Sequence, residues 1–558
     1  MTDHQRVNNQ PTRTTQPLLP TLLVAWVFVA FTILYALTTQ RGVGWQDSGL
    51  LQCRVLTGDY QGHSGLALAH PLYILIAQGF AACFPSAIRC YAINLCSGVG
   101  MAAALAFLAA LVGRLTASRR QVLLAVTFLG LSHMAWWMAT IAEVYTWALA
   151  ALMAELYILS RYLPQRRGGW LVLLFAVNGL HLAIHNTAWL SLPVYLLLLP
   201  GLLRGRPLAS RLGWLAAAAV AWMAGAAPLL ALVAREYVRT GEGLATLQSL
   251  LFGSGYQVRV LGLEVPIWRQ TVANFALAGV SLLNPCWLLA LPGLAECFAH
   301  SVDRISGSAG LMHGSCKDQQ ARPDCRALPA MMRLPLLALT VLHLLFWIRY
   351  FVPDQATFVL PTLGLLAVWA GIGGAPGASG KVPEGRTPAW WARGWWMPSQ
   401  RRGGPIWLAV GMACAVCGPL VLRAVVATAR IEINRSRRLP FRDEVRYWLL
   451  PWKQDERSAE NFVQGVHRQL GAGDILVADA TAAGPLLAAR ARGPRTESWR
   501  LITPWSGETD AELAALASQP PARLYVVSPV PGYAPAVLLA PERRAVREGL
   551  LWRLEGRE

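Results

Sequence analysis

The chain has 558 residues, of which 55% are hydrophobic and 14% charged, with 49 Lys and Arg against 30 Asp and Glu and a formal net charge of +19. With a mean hydropathy of +0.40, this composition excludes an ordinary water-soluble domain and reads as an integral membrane protein. The basic excess does not call for nucleic acid, because most of it falls in short loops between apolar runs, where cytoplasmic retention of Lys and Arg and anionic headgroups account for it.

The first apolar run, Leu18 to Leu37, has the roughly 20 residues that one bilayer crossing needs. It is too long for a signal-peptide core and lacks a convincing cleavage site, so it reads as an uncleaved span. Further spans are expected at 88–113, 121–141, 144–162, 170–186, 187–203, 212–234, 270–298, 334–349, 356–373 and 405–428, about eleven crossings in all. Basic residues recur in alternate gaps: Arg114, Arg119 and Arg120; Arg161, Arg166 and Arg167; Arg204, Arg206 and Arg211; then 304–333 and 381–402. That alternation places the N-terminus in the cytoplasm and the segment after residue 428 outside. The apolar stretch Leu66 to Phe84, interrupted by His70 and Pro71, would invert every later basic loop if it crossed. It reads instead as an interfacial helix within a first external loop, 40–87.

Residues 235–269 are expected to cap an external cavity, while 301–326 and 371–405 read as cytoplasmic connectors. Residues 1–428 thus form a transmembrane domain. Beyond them, Tyr447-Trp448-Leu449-Leu450-Pro451-Trp452 suits a headgroup layer. Helical patterns at 459–470 and 481–492 then alternate with apolar runs at 474–478 and 524–527, which predicts a small external α/β domain over 429–558. It holds no recognisable catalytic motif and reads as accessory.

The ten cysteines form neither a disulfide framework nor a zinc site; Cys414 and Cys417 have the spacing of a metal pair but lie inside an apolar span, where packing is the expected role. Asp47, in Gly44-Trp45-Gln46-Asp47-Ser48-Gly49, follows the first span directly. The topology gathers Asp47, Glu143, His185 and Asp354 at the external face, where a carboxylate is poised for chemistry on a lipid-borne substrate. Asp-Ser-Gly is also ordinary turn chemistry, and Glu143 could serve a helix N-terminus. His181 and His185 share a helix face at four-residue spacing. Without an acidic ligand nearby in sequence, polar packing or donor contact is favoured over metal. His70, Arg259, Arg269, Arg349 and Tyr350 are candidates for contact with a donor phosphate, against snorkelling for the Arg349–Tyr350 pair.

These residues also carry a resemblance. Asp47-Ser48-Gly49, Ala69-His70-Pro71-Leu72-Tyr73, Tyr91-Ala92-Ile93-Asn94-Leu95-Cys96-Ser97, Ala142-Glu143-Val144-Tyr145, Gly179-Leu180-His181-Leu182-Ala183-Ile184-His185, and Asp354 followed by Phe358-Val359-Leu360-Pro361 occur in order over 20–370. Together they resemble multi-pass proteins of the GT-C glycosyltransferase superfamily related to protein O-mannosyltransferases. The resemblance implies a GT-C-like fold and an inner-membrane enzyme that takes a sugar from a polyprenyl-phosphate donor to a protein, lipid or glycan acceptor, with Asp47 as base. Two departures stand out: Leu50-Leu51 occupies the place of a usual second acid, and the usual Pro-Gly-Tyr-Pro extension of the His-Pro motif is shortened. No cofactor is certain, a divalent cation (Mg or Mn) being left open. A transporter or flippase for a lipid-linked glycan, or a catalytically silent scaffold, are the alternatives.

Overall fold

In the computed structural model the described residues are 19–253, 262, 268–295, 297, 327–373, 403–433, 437–493, 498–516 and 523–556. Helices α1 (Leu19–Thr38), α2 (Gln46–Thr57), α3 (Pro71–Ala82), α4 (Arg89–Thr116), α5 (Arg119–Gly130), α6 (His133–Met138) and α7 (Tyr145–Gln165) come first. They are followed by α8 (Gly168–Ile184), α9 (Ala188–Leu202), α10 (Leu208–Thr240), α11 (Gly243–Phe252), α12 (Trp268–Val280), α13 (Ala327–Arg349), α14 (Leu360–Gly373) and α15 (Gly403–Thr428).

Among the described residues six helical segments are long and apolar enough to cross a membrane, or seven if the pair Trp268–Leu283 and Pro285–Ala295, bent by 79°, counts as one. These meet the expected spans at 18–37, 88–113, 212–234, 334–349, 356–373, 405–428 and 270–298. The remaining four expected crossings fall on α7, on the shorter helices α8 and α9, and on α5–α6, where 121–141 is not one continuous helix but breaks at Leu131 and Ser132. Large apolar side chains stay exposed along the bundle, among them Trp26, Leu197, Val238, Leu334 and Val421. Only lipid can cover such a surface, and the chain is an integral membrane protein. Within the bundle α8 and α10 touch backbone to backbone: a Cβ on Gly179 would lie 2.2 Å from the Trp222 carbonyl oxygen, and one on Gly225 2.3 Å from that of Ala176. Small residues that let helices approach this closely are a usual means of helix association in lipid.

The 66–84 stretch folds as a 3-10 turn, Leu66–Leu68, and the twelve-residue helix α3. At 1.5 Å per residue α3 reaches about 18 Å, short of a bilayer core of about 30 Å. It lies against α4, with Tyr73, Ile74 and Ala77 buried.

After α15 come α16 (Glu444–Leu449), α17 (Ser458–Gln469), β1 (Ile475–Val477), α18 (Ala480–Arg492), β2 (Arg500–Ile502), α19 (Asp510–Leu516), β3 (Leu524–Val526), β4 (Arg543–Glu548) and β5 (Leu551–Gly556). The strands form one sheet, order β2-β1-β3-β5-β4, parallel across β2-β1-β3 and antiparallel from β3 to β4. α17, β1, α18 and β3 match the expected pattern; β2, α19 and the β4–β5 hairpin were not expected. One apolar cluster runs without a break from Tyr35 and Ile93 in the bundle through Trp45 to Tyr447, Phe462 and Leu486. The C-terminal unit therefore shares a core with the transmembrane part.

Candidate functional site

The loop before Asp47 is held by buried amides. Gln52 Oε1 accepts from the Gly44 N–H at 2.9 Å, Gln52 Nε2 donates to Asn94 Oδ1 at 2.8 Å, and Asn94 Nδ2 donates to the Gln40 carbonyl at 2.9 Å. These bonds tie the loop to α4 and start α2 at Gln46, which leaves Asp47 in the first turn.

Glu143 arrives from the loop between α6 and α7 and is 8% exposed. Ser97 on α4 grips its backbone from both sides: its Oγ accepts from the Glu143 N–H at 2.8 Å and donates to the Glu143 carbonyl at 3.0 Å. Asp354 arrives from the turn after α13, where its Oδ2 accepts from the Tyr145 hydroxyl at 2.8 Å. Three separate segments thus bring three carboxylates within reach of one another's charge. Burial raises the Asp47 carboxyl, and the Asp354 charge adds to that. Glu143 is raised well above the ordinary range by burial first, then by Asp47 and Asp354. Asp354 is raised by burial, opposed by the Tyr145 hydroxyl. Protein surrounds Asp47, yet its side chain still meets solvent. Of the three acids Asp47 is the most exposed, Asp354 being half-buried and Glu143 buried.

Two histidines stack beside the acids, ring centroids 5.2 Å apart and planes 5° apart: His70 and His185. His70 Nδ1 lies 2.9 Å from the Ile184 carbonyl. A carbonyl can only accept, so the proton is on Nδ1 and Nε2 is left as an acceptor. His185 is set the other way. The Thr187 N–H donates to its Nδ1 at 3.1 Å, which puts the ring proton on Nε2. Tyr145 lies 5.0 Å from His185, and Phe358 lies 5.2 Å from Tyr145 and 4.8 Å from Tyr350. Asp47, Glu143, Asp354, His70, His185 and Tyr350 are thereby linked into one region.

His181 sits elsewhere. It is 1% exposed, with Nδ1 2.9 Å from Glu155 Oε1 and Nε2 3.3 Å from Thr187 Oγ1. The acid missing from its sequence neighbourhood is supplied by α7. Arg349 at the end of α13 stacks over Phe351 at 5.0 Å and keeps a buried Nη1 without a partner among the described residues. Arg269 stacks over Trp268, and Arg259 lies outside the described residues. Among those residues no three His, Cys, Asp or Glu side chains converge closely enough to hold a metal ion.

Tyr145, Ser97 and Arg54 carry roles that sequence reasoning missed. Arg54 donates to the carbonyls of Asp59, Tyr60 and Leu68, each at 3.1 Å, and to that of Ala69. It pins the chain just before His70, whose φ of +51° is one a non-glycine residue keeps only when its surroundings fix it. Ser97 and Tyr145 carried a detectable signal, since both lie within the quoted motifs.

No family model and no curated protein matches the chain. Among solved structures it is similar to ArnT from Cupriavidus metallidurans bound to undecaprenyl phosphate, with 14% identity over 96% of this chain and 97% of that one and a TM-score of 0.49. The apo state of the same ArnT aligns with 14% identity over the same shares and a TM-score of 0.47. A likeness at this level assigns neither an activity nor residue roles to this chain.

Proposed function

We propose that the protein is a membrane glycosyltransferase that moves a sugar from a polyprenyl-phosphate donor to a hydroxyl acceptor at the external face of the inner membrane, with Asp47 as base. The observation that carries this reading is the convergence of Asp47, Glu143 and Asp354 from three separate segments, with Asp47 the most exposed of the three. In the reaction the acceptor oxygen attacks the anomeric carbon as its proton passes to Asp47. The bond from that carbon to the phosphate oxygen breaks, and its electron pair leaves with the phosphate. A phosphate leaves without protonation, so one carboxylate suffices. The His185 Nε2–H and Arg349 are suited to receive the departing charge, and Glu143 and Asp354 to orient the sugar. Acceptors of protein, lipid or glycan class fit the same chemistry, as does O-mannosylation.

The reading is tested by mass analysis of lipid-linked sugars and glycosylated products in cells with and without the protein. A glycosylated product lost with the gene, while the donor lipid accumulates, is expected. Unchanged products together with a donor lipid trapped on one leaflet would replace the transferase with a flippase.

The orientation is open to test as well. In a cysteine-free background, single cysteines near Asp47 and at 460–540 are expected to react with an impermeant reagent on intact cells, and those near Arg119 and Arg166 to stay unlabelled. Labelling at Arg119 from outside would invert the bundle.

For the donor, Arg349→Ala is expected to weaken binding of a polyprenyl phosphate about tenfold to a hundredfold, the worth of a charge-assisted hydrogen bond, with little change in thermal unfolding. Unchanged affinity would move the phosphate site elsewhere.

A further inference from the structure

Asp47 stands on a short helix whose seat is built by the C-terminal unit. α2 packs along α18, and the two meet at a pair of glycines. A Cβ on Gly484 would stand 2.4 Å from the Gln46 carbonyl oxygen, and a Cβ on Gly49 would stand 2.5 Å from the Gly484 carbonyl carbon. No side chain fits at either position without a backbone shift, so main chain rests directly on main chain. At this contact Gln46, the residue before Asp47, has φ +53°. A non-glycine residue holds that conformation only where its surroundings over-determine it.

The neighbouring contacts come from the same unit. Trp45, 1% exposed, donates its Nε1–H to Ser458 Oγ at 2.8 Å, and its ring lies 5.1 Å from that of Phe462. α18 is itself anchored, since Asp479 accepts from the Thr481 N–H at 2.9 Å and pairs with the buried Arg437. Every element that fixes the start of α2 from this side therefore belongs to the chain beyond residue 436. We infer that Gly484 is a positioning residue for Asp47, and that the C-terminal unit is a working part of the active site: its backbone contact sets the direction of the Asp47 carboxylate. The inference deepens the transferase reading and rests on it for the role of Asp47.

The experiment uses the full chain in lipid nanodiscs, with Gly484→Ala and Gly484→Val compared with Gly493→Ala, where an added Cβ meets no atom of the described residues within 4 Å. Sugar transfer is followed against pH, and hydrogen exchange is read over 46–57. Gly493→Ala is expected to match wild type. Gly484→Ala is expected to lose about tenfold in kcat and Gly484→Val about a hundredfold, the scale of an ångström-sized misplacement, with KM for the lipid donor unchanged. The acid limb of the pH profile is expected to move to lower pH, because a displaced Asp47 is better hydrated and further from Asp354 and Glu143, the charged groups that face it. Exchange is expected to quicken in α2 and not in α4. A wild-type rate and pH profile in Gly484→Val would overturn the inference. So would a loss of protection throughout Gly484→Ala with the pH profile unmoved, which is the mark of a contact that only supports folding. If the wild-type protein transfers no sugar, the transferase reading fails by itself; selective loosening of α2 would still uphold the seat, and uniform exchange would remove it.

Discussion

Asp47→Asn is expected to lower sugar transfer by about two to four orders of magnitude, the usual contribution of a positioned base. The substitution keeps size and hydrogen-bonding capacity, and the loop that presents residue 47 is held by Gln52 and Asn94 rather than by the carboxylate itself. The variant should therefore insert and fold as wild type. Because a base acts only when deprotonated, and burial and Asp354 both raise Asp47, the wild-type rate should climb with pH through a limb above the ordinary carboxylate range of about 4. That limb should vanish in Asp47→Asn. Glu143→Gln should cost less, since Glu143 is closed to solvent and gripped by its backbone through Ser97. Purified Asp47→Asn with a wild-type rate would end the assignment of Asp47 as base.

Glu155→Ala carries the largest expected loss of stability, about 3–5 kcal/mol, the range found when one partner of a buried ionic network is removed. Glu155 is 0% exposed and accepts from Asn178 Nδ2 at 3.1 Å and from the Tyr195 hydroxyl at 2.8 Å, with His181 Nδ1 at 2.9 Å. Truncation strands the Tyr195 hydroxyl and His181 Nδ1 in a buried site, while Asn178 Nδ2 keeps Ser191 Oγ at 2.9 Å. Glu155→Gln keeps an acceptor and should lose less. Thermal unfolding in detergent, followed by tryptophan fluorescence, measures both. An unfolding midpoint at the wild-type temperature for Glu155→Ala would show that the network contributes nothing. The same pair bears on the flippase alternative, in which Glu155 would handle cargo and its amide would stop lipid movement while leaving stability intact.

What the sequence revealed follows from the physics of each feature. Runs such as 18–37 and 88–113 are legible because a bilayer demands length and apolarity together. The break after α5 is not, since the Met134 N–H that opens there is satisfied by Ser281 Oγ from a helix far along the chain. The meeting of Asp47, Glu143, His185 and Asp354 could be read from the alternation of basic loops, which fixes the face each residue occupies before any contact is known. The partner of His181 could not, because Glu155 is 26 residues away on another helix. The β4–β5 hairpin hid behind its charges: Arg553 pairs with Glu548 and Glu555 across and along the strands, so no apolar alternation marks them. The C-terminal unit read as accessory because it lacks a motif. Its closest approach to α2 is made by two glycines, which leave no chemical signature.

Helix α10 adds a mechanical consequence. Its 33 residues span about 50 Å, against about 30 Å for a hydrocarbon core, so the helix must either lean steeply or stand well clear of the lipid. Its last turns are fastened to the loop that follows α2: Arg235 Nη2 donates to Gln61 Oε1 at 2.9 Å, and Gln61 Nε2 donates to Glu236 Oε2 at 3.0 Å. A change in bilayer thickness that tilts the last turns of α10 is therefore passed to the strap between α2 and α3, which joins Asp47 to His70. On the proposed transferase reading, the host membrane thus becomes a setting of the geometry around Asp47, and lipid chain length a dial for turnover.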